Sequence, residues 1–473
     1  MLISLILIPV CLAALSLVLP WHQLRSWLLP TAGMIQLVLA VLVVLAKPQA
    51  GEWIGLDALS TLVLLVTSIL YLGCAFYAVD YLALRQDRGN RIIVPCLLVF
   101  LAAMSLAIIS RHLGLMWVAV ETTTIVSAPL IYYNRNRLSI EATWKYLLLC
   151  SVGIALAMLG IMFVAYSAVG GQAEVSLQLD WLLDTAPQLS KPWLHAGFIF
   201  LLVGYGTKMG LAPLHSWKPD AYAESPALVG ALLAGGLTTV SFLAILRGVQ
   251  VMSAAGDLIM AQQALMGLGL FSMLIAAIFM VRQPDIKRML AYSSVEHMGI
   301  LALGVGIGGL ATFGALLHLA NNALTKGCLF LTAGNIQRSY ASKNLREVRG
   351  ALSCLPLSAG IFLTGFLAIT GAPPFGPFLS EFTILRGIFA GGHPWIAAAF
   401  LILLATIFIG MGATVLSATQ GESPQVSAQF RDRLLLVAPP LLLLALVLCL
   451  GIYMPDPLKE LLDAGVALLE VTS

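Results

Sequence analysis

A chain of 473 residues that is 60% hydrophobic and only 10% charged, with a mean hydropathy of +0.96, has too few polar groups to clothe a water-soluble surface. Its formal net charge of +3 says little about partners, because where the charges sit matters more than their sum; no nucleic-acid partner is expected. The seven cysteines, Cys11, Cys74, Cys96, Cys150, Cys328, Cys354 and Cys449, include no Cys-x-x-Cys pair and sit in apolar segments; this argues against a disulfide framework and against a zinc or iron–sulfur ligand set, so no cofactor and no metal is expected on this chain.

Apolar runs near the ~20 residues needed to cross a bilayer predict an all-α integral membrane fold of fourteen transmembrane helices. They fall at 2–20, 28–46, 58–79, 92–110, 113–133, 142–167, 193–214, 226–246, 264–281, 290–308, 312–335, 355–386 with a break, 394–416 and 433–453. No basic region precedes the first run and no small-residue cleavage pattern follows it, so it is kept as a helix. The connection 168–192 holds a short amphipathic piece around Leu177 to Leu183, and the tail after the last helix carries Leu458, Leu461, Leu462 and Leu469 at near-helical spacing, as expected of a helix on the membrane or on a neighbour. Connections after odd-numbered helices hold 17 Lys and Arg, among them Lys218 and Lys287; those after even-numbered helices hold 6, among them Lys47 and Arg247. The positive-inside rule then puts the odd-numbered connections in the cytoplasm and both termini outside a bacterial inner membrane. Two lysines, Lys208 and Lys326, are left inside the bilayer.

The segment Leu201 to Tyr222, LLVGYGTKMGLAPLHSWKPDAY, begins within predicted helix seven, places Lys208 in an apolar run and follows it with Gly210 and Pro213. Proline removes a helical hydrogen bond and clashes with the turn before it, so the helix breaks there, and a broken helix at membrane depth is tolerated where it lines a cavity. An ionisable group in that position costs about 2.5–3.5 kcal/mol on insertion scales and marks a functional site. Predicted helix twelve repeats the pattern with Gly371, Pro373 and Pro374 before Glu381. Two helices ahead of each break lies a glutamate, Glu121 and Glu296. The chain thus divides into helices one to three (1–91), a five-helix unit (92–247), a second unit (264–416) that an odd helix count forces to cross inverted, and helix fourteen with the tail (417–473). Paired broken helices in inverted halves point to an ion path.

The ionisable residues outline that path. Glu121 is expected to pair with Lys208, because burial lowers and a carboxylate raises a lysine's proton affinity. His318, Asn322 and Lys326 recur at four-residue spacing on one face of helix eleven, and Glu381 follows the second break. Glu296 with His297 forms either a link to the path or an interfacial pair. His215, Trp217, Lys218 and Asp220 read as an interfacial cluster in which His215 is suited to proton uptake.

The runs KMGLAPLHSWKPDAYAESP, IKRMLAYSSVEHMGIL, HLANNALTKGCLFLTAGNI and GAPPFGPFLSEF resemble the signature segments of antiporter-like subunits. That family is shared by respiratory complex I, multi-subunit sodium/proton antiporters and membrane-bound hydrogenases. SSVEHMG and WKYLLLCSVGI most resemble the F component of the formate-hydrogenlyase-type hydrogenases. The resemblance implies a proton-translocating subunit without a redox centre, partnered by other membrane subunits and, through them, by a hydrogenase and iron–sulfur arm, in contact with lipids and carrying protons or sodium. It implies pathway roles for Glu121, Lys208, His318, Lys326 and Glu381. One departure stands out: where complex I relatives carry a lysine in helix eight, this chain has Thr239, so a bridge between the halves would need Thr238, Thr239, Ser241 or His318.

Overall fold

The computed structural model describes residues 1–46, 51–172, 174–421 and 431–470; Lys47 and part of the predicted 417–473 unit lie outside them. The described chain is helical, and isolated β-bridges such as Ile54 with Ser110 and His112 with Gln178 tie connections together. The first half comprises α1 (Ser4–Val18), α2 (His22–Ala46), α3 (Ala58–Ala83), α4 (Ile93–Ile109), α5 (Leu113–Ile131), α6 (Arg137–Gly170), the short α7 (Leu179–Thr185), α8 (Lys191–Met209), α9 (Trp217–Glu224), α10 (Ala227–Ala231) and α11 (Thr238–Ala254). The second half comprises α12 (Leu258–Met280), α13 (Ile286–Ile307), α14 (Leu310–Tyr340), α15 (Ala351–Cys354), α16 (Pro356–Ile369), α17 (Gly376–Ala390), α18 (Pro394–Thr419), α19 (Leu434–Ile452) and α20 (Asp456–Leu469).

Among the described residues, 9 helices are long and apolar enough to cross a membrane, and α1, α4 and α16 are shorter apolar helices. The chain is a multi-pass membrane protein. Its helices differ sharply in burial: the apolar stretch of Ala227–Ala254 is 100% buried and that of α13 89%, against 33% for α18. Peripheral side chains such as Val18, Trp395 and Leu434 are exposed, as expected of a surface that faces lipid. The polar residues collect on the sheltered inner helices α11, α13 and α14.

Both predicted breaks occur. Helix α8 stops at Met209, and Gly210 takes the left-handed conformation (φ 86°, ψ 39°), which a residue without Cβ adopts freely. Its N–H donates back to the Gly206 carbonyl at 2.8 Å. The chain passes through Pro213 and turns helical again at Trp217. In the second half α16 ends at Ile369, Gly371 has φ 70°, and α17 restarts at Gly376. Ala212–Pro213 and Pro373–Pro374 are both cis.

The expected span 226–246 is found as Ala227–Ala254, with a π-helical turn, Leu232–Leu237, joining α10 to α11 where Gly235 backs onto the Ala323 carbonyl of α14. Two expectations need correction. Lys218, Lys287 and Arg247, assigned to connections, are buried to 1% exposure or less. Each found protein oxygens instead of water: Lys287 donates to the Ser225 carbonyl and Arg247 to the Asp57 carboxylate. The C-terminal helix α20 lies on this chain's own α3 and α14, burying Leu462, Gly465 and Leu469. Its anchor is Glu470, whose Oε1 accepts from the Gly309 N–H (2.6 Å) and the Thr312 hydroxyl (2.7 Å) at the start of α14.

Candidate functional site

The break in α8 leaves Lys208 in the last helical turn, fully buried. Its Nζ donates to Thr124 Oγ1 at 2.7 Å and to the Tyr146 hydroxyl at 2.8 Å, and the ammonium lies 4.9 Å from the Tyr146 ring centroid. Thr124 in turn donates to Glu121 Oε2 at 3.0 Å. The expected Lys208–Glu121 pair is therefore indirect. Residues three apart on α5 share a face, and the threonine hydroxyl sits between cation and carboxylate as acceptor of one hydrogen bond and donor of the next. Tyr146 is held by Ser127 at 2.6 Å, so α5, α6 and α8 all contribute to this end of the site.

The segment after the break folds back beneath the end of α8. Trp217 Nε1 donates to the Thr207 carbonyl at 2.9 Å, which also accepts from the Gly210 N–H, and Lys218 Nζ donates to the Met209 carbonyl at 2.7 Å, one of the carbonyls a helix end leaves without a helical partner. This is why the aromatic and cationic pair, read from sequence as an interfacial anchor, is in the interior. His215 is half-buried beside the Tyr292 ring, with centroids 6.4 Å apart. Asp220 does stay near the surface and pairs with Lys145 at 2.9 Å and with Arg288.

In the second half, Lys326 Nζ donates to Ser293 Oγ at 2.6 Å. One face of α14 carries His318, whose Nε2 meets His297 Nδ1 at 2.9 Å and whose Nδ1 meets Ser380 Oγ at 2.9 Å. Glu296 lies 3.8 Å from His297 Nε2. Glu296 and His297 are buried, so of their two sequence readings the structure places them beside the polar face of α14 rather than at an interface. His297, His318 and Glu381 bring their ligating atoms within 4.8 Å of one another. Two imidazoles and a carboxylate are donors that a divalent cation accepts; here the two imidazoles are hydrogen-bonded directly to each other, the arrangement of groups that share a proton. Among the described residues, the side-chain amides of Asn321 and Asn322 and the Oε1 of Glu381 are buried without a hydrogen-bond partner, the condition under which water enters a site.

The groups proposed for the middle are differently disposed. Thr238, Thr239 and Ser241 donate their hydroxyl protons to the carbonyls of Ala234, Gly235 and Leu237 at 2.6, 2.6 and 2.8 Å. Where α9, α13 and the loop after α14 meet the surface, a polar cleft of about 610 Å³ is lined by Arg88, Asn134, Glu224, Asp285 and Lys343. At its wall Lys343 bridges Glu224 (2.6 Å) and Asp285 (3.2 Å). Sequence reasoning missed Thr124, Tyr146, Ser293 and Ser380, because hydroxyl residues on apolar helices are common and nothing in their spacing marks them.

Comparison with known proteins follows the same lines. Residues 110–408 match the family described as the membrane region of NADH:quinone oxidoreductase and Mrp antiporters. A hydrogenase-4 component F homolog of Methylacidiphilum infernorum is 35% identical over 451 residues, covering 93% of each chain. An NADH-quinone oxidoreductase subunit N of Desulforudis audaxviator is 31% identical over 360 residues, 75% of this chain and 70% of its own. A chain of the Mrp complex from Dietzia superposes with a TM-score of 0.88 at 21% identity, covering 99% of this chain and 97% of that one; at that identity the likeness is one of fold.

Proposed function

Because the chain belongs to the family of antiporter-like membrane subunits found in NADH:quinone oxidoreductases and Mrp antiporters, we propose that it is the proton-conducting subunit of a redox-driven complex, a membrane-bound nickel–iron hydrogenase of the formate-hydrogenlyase type. The observation that carries the conduction reading is the pair of buried lysines, Lys208 and Lys326, each held by neutral hydroxyl oxygens and neither in a carboxylate ion pair among the described residues. A lysine solvated this way can release its proton without leaving a buried carboxylate stranded. The likeness to a hydrogenase-4 component F homolog along nearly the whole chain supports the choice of complex.

In this reading fourteen helices cross a bacterial inner membrane, helices four to eight and nine to thirteen of that count form inverted five-helix repeats, and both termini lie outside. The chain carries no redox centre. A displacement in a neighbouring membrane subunit moves Glu121 on α5; the Thr124 hydroxyl transmits the change, and Lys208 gives up its proton toward the second half. There Lys326, His318, His297 and Asn322 carry it to Glu381. Glu296 biases Lys326, and His215 and the polar cleft beside Glu224 lie on the uptake side.

The test is Lys208→Met in inverted membrane vesicles that contain the assembled complex. Proton uptake coupled to hydrogenase turnover is expected to be lost while the complex still assembles; coupled uptake at the wild-type rate would refute the proposal. A requirement for sodium without electron transfer would assign the chain to a multi-subunit sodium/proton antiporter instead, and co-purification with an NADH-oxidising arm to a complex I-type enzyme.

A further inference from the structure

We infer that Lys218 is the central proton carrier of this membrane subunit, standing between Lys208 and Lys326 and passing charge from one half of the protein to the other; the inference rests on the conduction reading above. Lys218 is 0% exposed. Its ammonium has the Met209 carbonyl as its protein acceptor, at 2.7 Å, and the Tyr222 ring at 5.7 Å. A lysine with a purely structural task is ordinarily given a carboxylate when buried, and even the half-buried Lys343 has two here, Glu224 and Asp285. Lys218 instead has the neutral surroundings of Lys208 and Lys326.

Its position is the stronger argument. Met209 directly follows Lys208, and Tyr146, which accepts from Lys208, meets the Trp217 ring edge-on at 5.0 Å. On the other side, Tyr222 beneath Lys218 turns its hydroxyl toward Ser294, the neighbour of the serine to which Lys326 donates. Both hydroxyls are buried, and Ser294 is the partner that Tyr222 faces. Lys218 and Lys326 are near enough for their charges to act on each other, so a proton arriving at one weakens the hold of the other on its own.

The surroundings reserve room for this side chain and leave no substitute for it. A Cβ at Gly210 would lie 2.6 to 2.8 Å from Lys218 Cδ, Nζ and Cε. Thr238, Thr239 and Ser241 have committed their protons to their own helix, and a hydroxyl cannot store a proton near neutrality.

Three substitutions in the assembled complex test the assignment, read as initial proton uptake by inverted vesicles with Lys208→Met as reference. Lys218→Arg keeps a cation and a donor for the Met209 carbonyl but does not release its proton, so uptake should fall more than about ten-fold, and it should fall equally in Lys218→Gln, which fills similar space if arginine does not fit. Lys218→His should recover uptake only on the acid side, below about pH 6.5, in the field of Cys150, His215, Tyr222, His297 and Lys326. A residue that merely caps α8 would give an arginine variant with normal uptake and a histidine variant with an unshifted pH profile. Either result, with Lys208→Met inactive, overturns the role of Lys218 and leaves the conduction reading standing. If Lys208→Met also conducts normally, it is the conduction reading that fails.

Discussion

Replacing Thr124 by valine removes one hydroxyl and almost no volume, and it isolates the step by which Glu121 is felt at Lys208. Thr124 Oγ1 accepts from the Lys208 ammonium at 2.7 Å and donates to Glu121 at 3.0 Å, while Tyr146 remains as the second acceptor at 2.8 Å. Hydrogen bonds to charged groups contribute about 1.5–3 kcal/mol. Losing that acceptor lowers the proton affinity of Lys208, so the lysine is loaded less of the time; at 1.36 kcal/mol per decade the loaded fraction, and with it uptake, falls roughly 10- to 150-fold. The assay is fluorescence quenching of a pH-sensitive dye in inverted vesicles, normalised to redox turnover and to the amount of assembled chain. Thr124→Ser, which keeps the hydroxyl, should behave as wild type. A valine variant within about two-fold of wild type, less than ~0.5 kcal/mol, would show that Glu121 does not act through Thr124.

Three further outcomes are expected. Ser380→Ala removes the partner of His318 Nδ1 and should slow uptake by up to about ten-fold, the worth of one ordinary buried hydrogen bond, without changing assembly on native gels. Gly204→Val should lower the melting temperature in detergent, since even a Cβ would sit 2.5 Å from Ala157 N; overpacking of this kind costs about 1–3 kcal/mol and forces α6 and α8 apart, with Tyr146 and Lys208. For Asp57, burial raises the carboxyl's proton affinity, but Arg247 and the hydrogen bonds from Arg247 and Ser60 outweigh it and hold the group at about 2. A depressed carboxylate stabilises the fold above its unfolded value of about 3.9, by about 2.6 kcal/mol, and that contribution disappears as pH falls from about 4 through 2. Asp57→Asn should lose roughly 3–5 kcal/mol already at neutral pH by stranding the buried guanidinium, visible in thermal melts that become less pH-dependent in the acid range.

What was legible in the sequence was local chemistry. Gly210 with Pro213, and Gly371 with Pro373 and Pro374, announce their breaks because left-handed backbone and a missing N–H act within one turn. The spacing of His318, Asn322 and Lys326 gives their common face for the same reason. What depends on where a chain goes after a break was not legible. Lys218 stands in a Trp-Lys-Pro-Asp run with every mark of an interface, and only the return of α9 beneath α8 makes it an interior residue. The intervention of Thr124 between Lys208 and Glu121 was hidden because sequence supplies partners by charge, whereas packing supplied a hydroxyl. The π-helical turn at Leu232–Leu237 lies against α3 and α14, and the α14 contact joins residues some ninety positions apart.

The neutral surroundings of the interior lysines have a bearing on speed. Oppositely charged partners drawn together in oil must be torn apart each time one of them is neutralised, and that separation grows costlier as water is excluded. Where the ammonium rests on hydroxyls of Thr124, Tyr146 and Ser293, each event asks only that an O–H bond swing about its own axis. If the proposed conduction holds, passage through this protein should therefore be indifferent to ionic strength, with rotation of a few hydroxyls, rather than the rupture of ion pairs, setting its tempo.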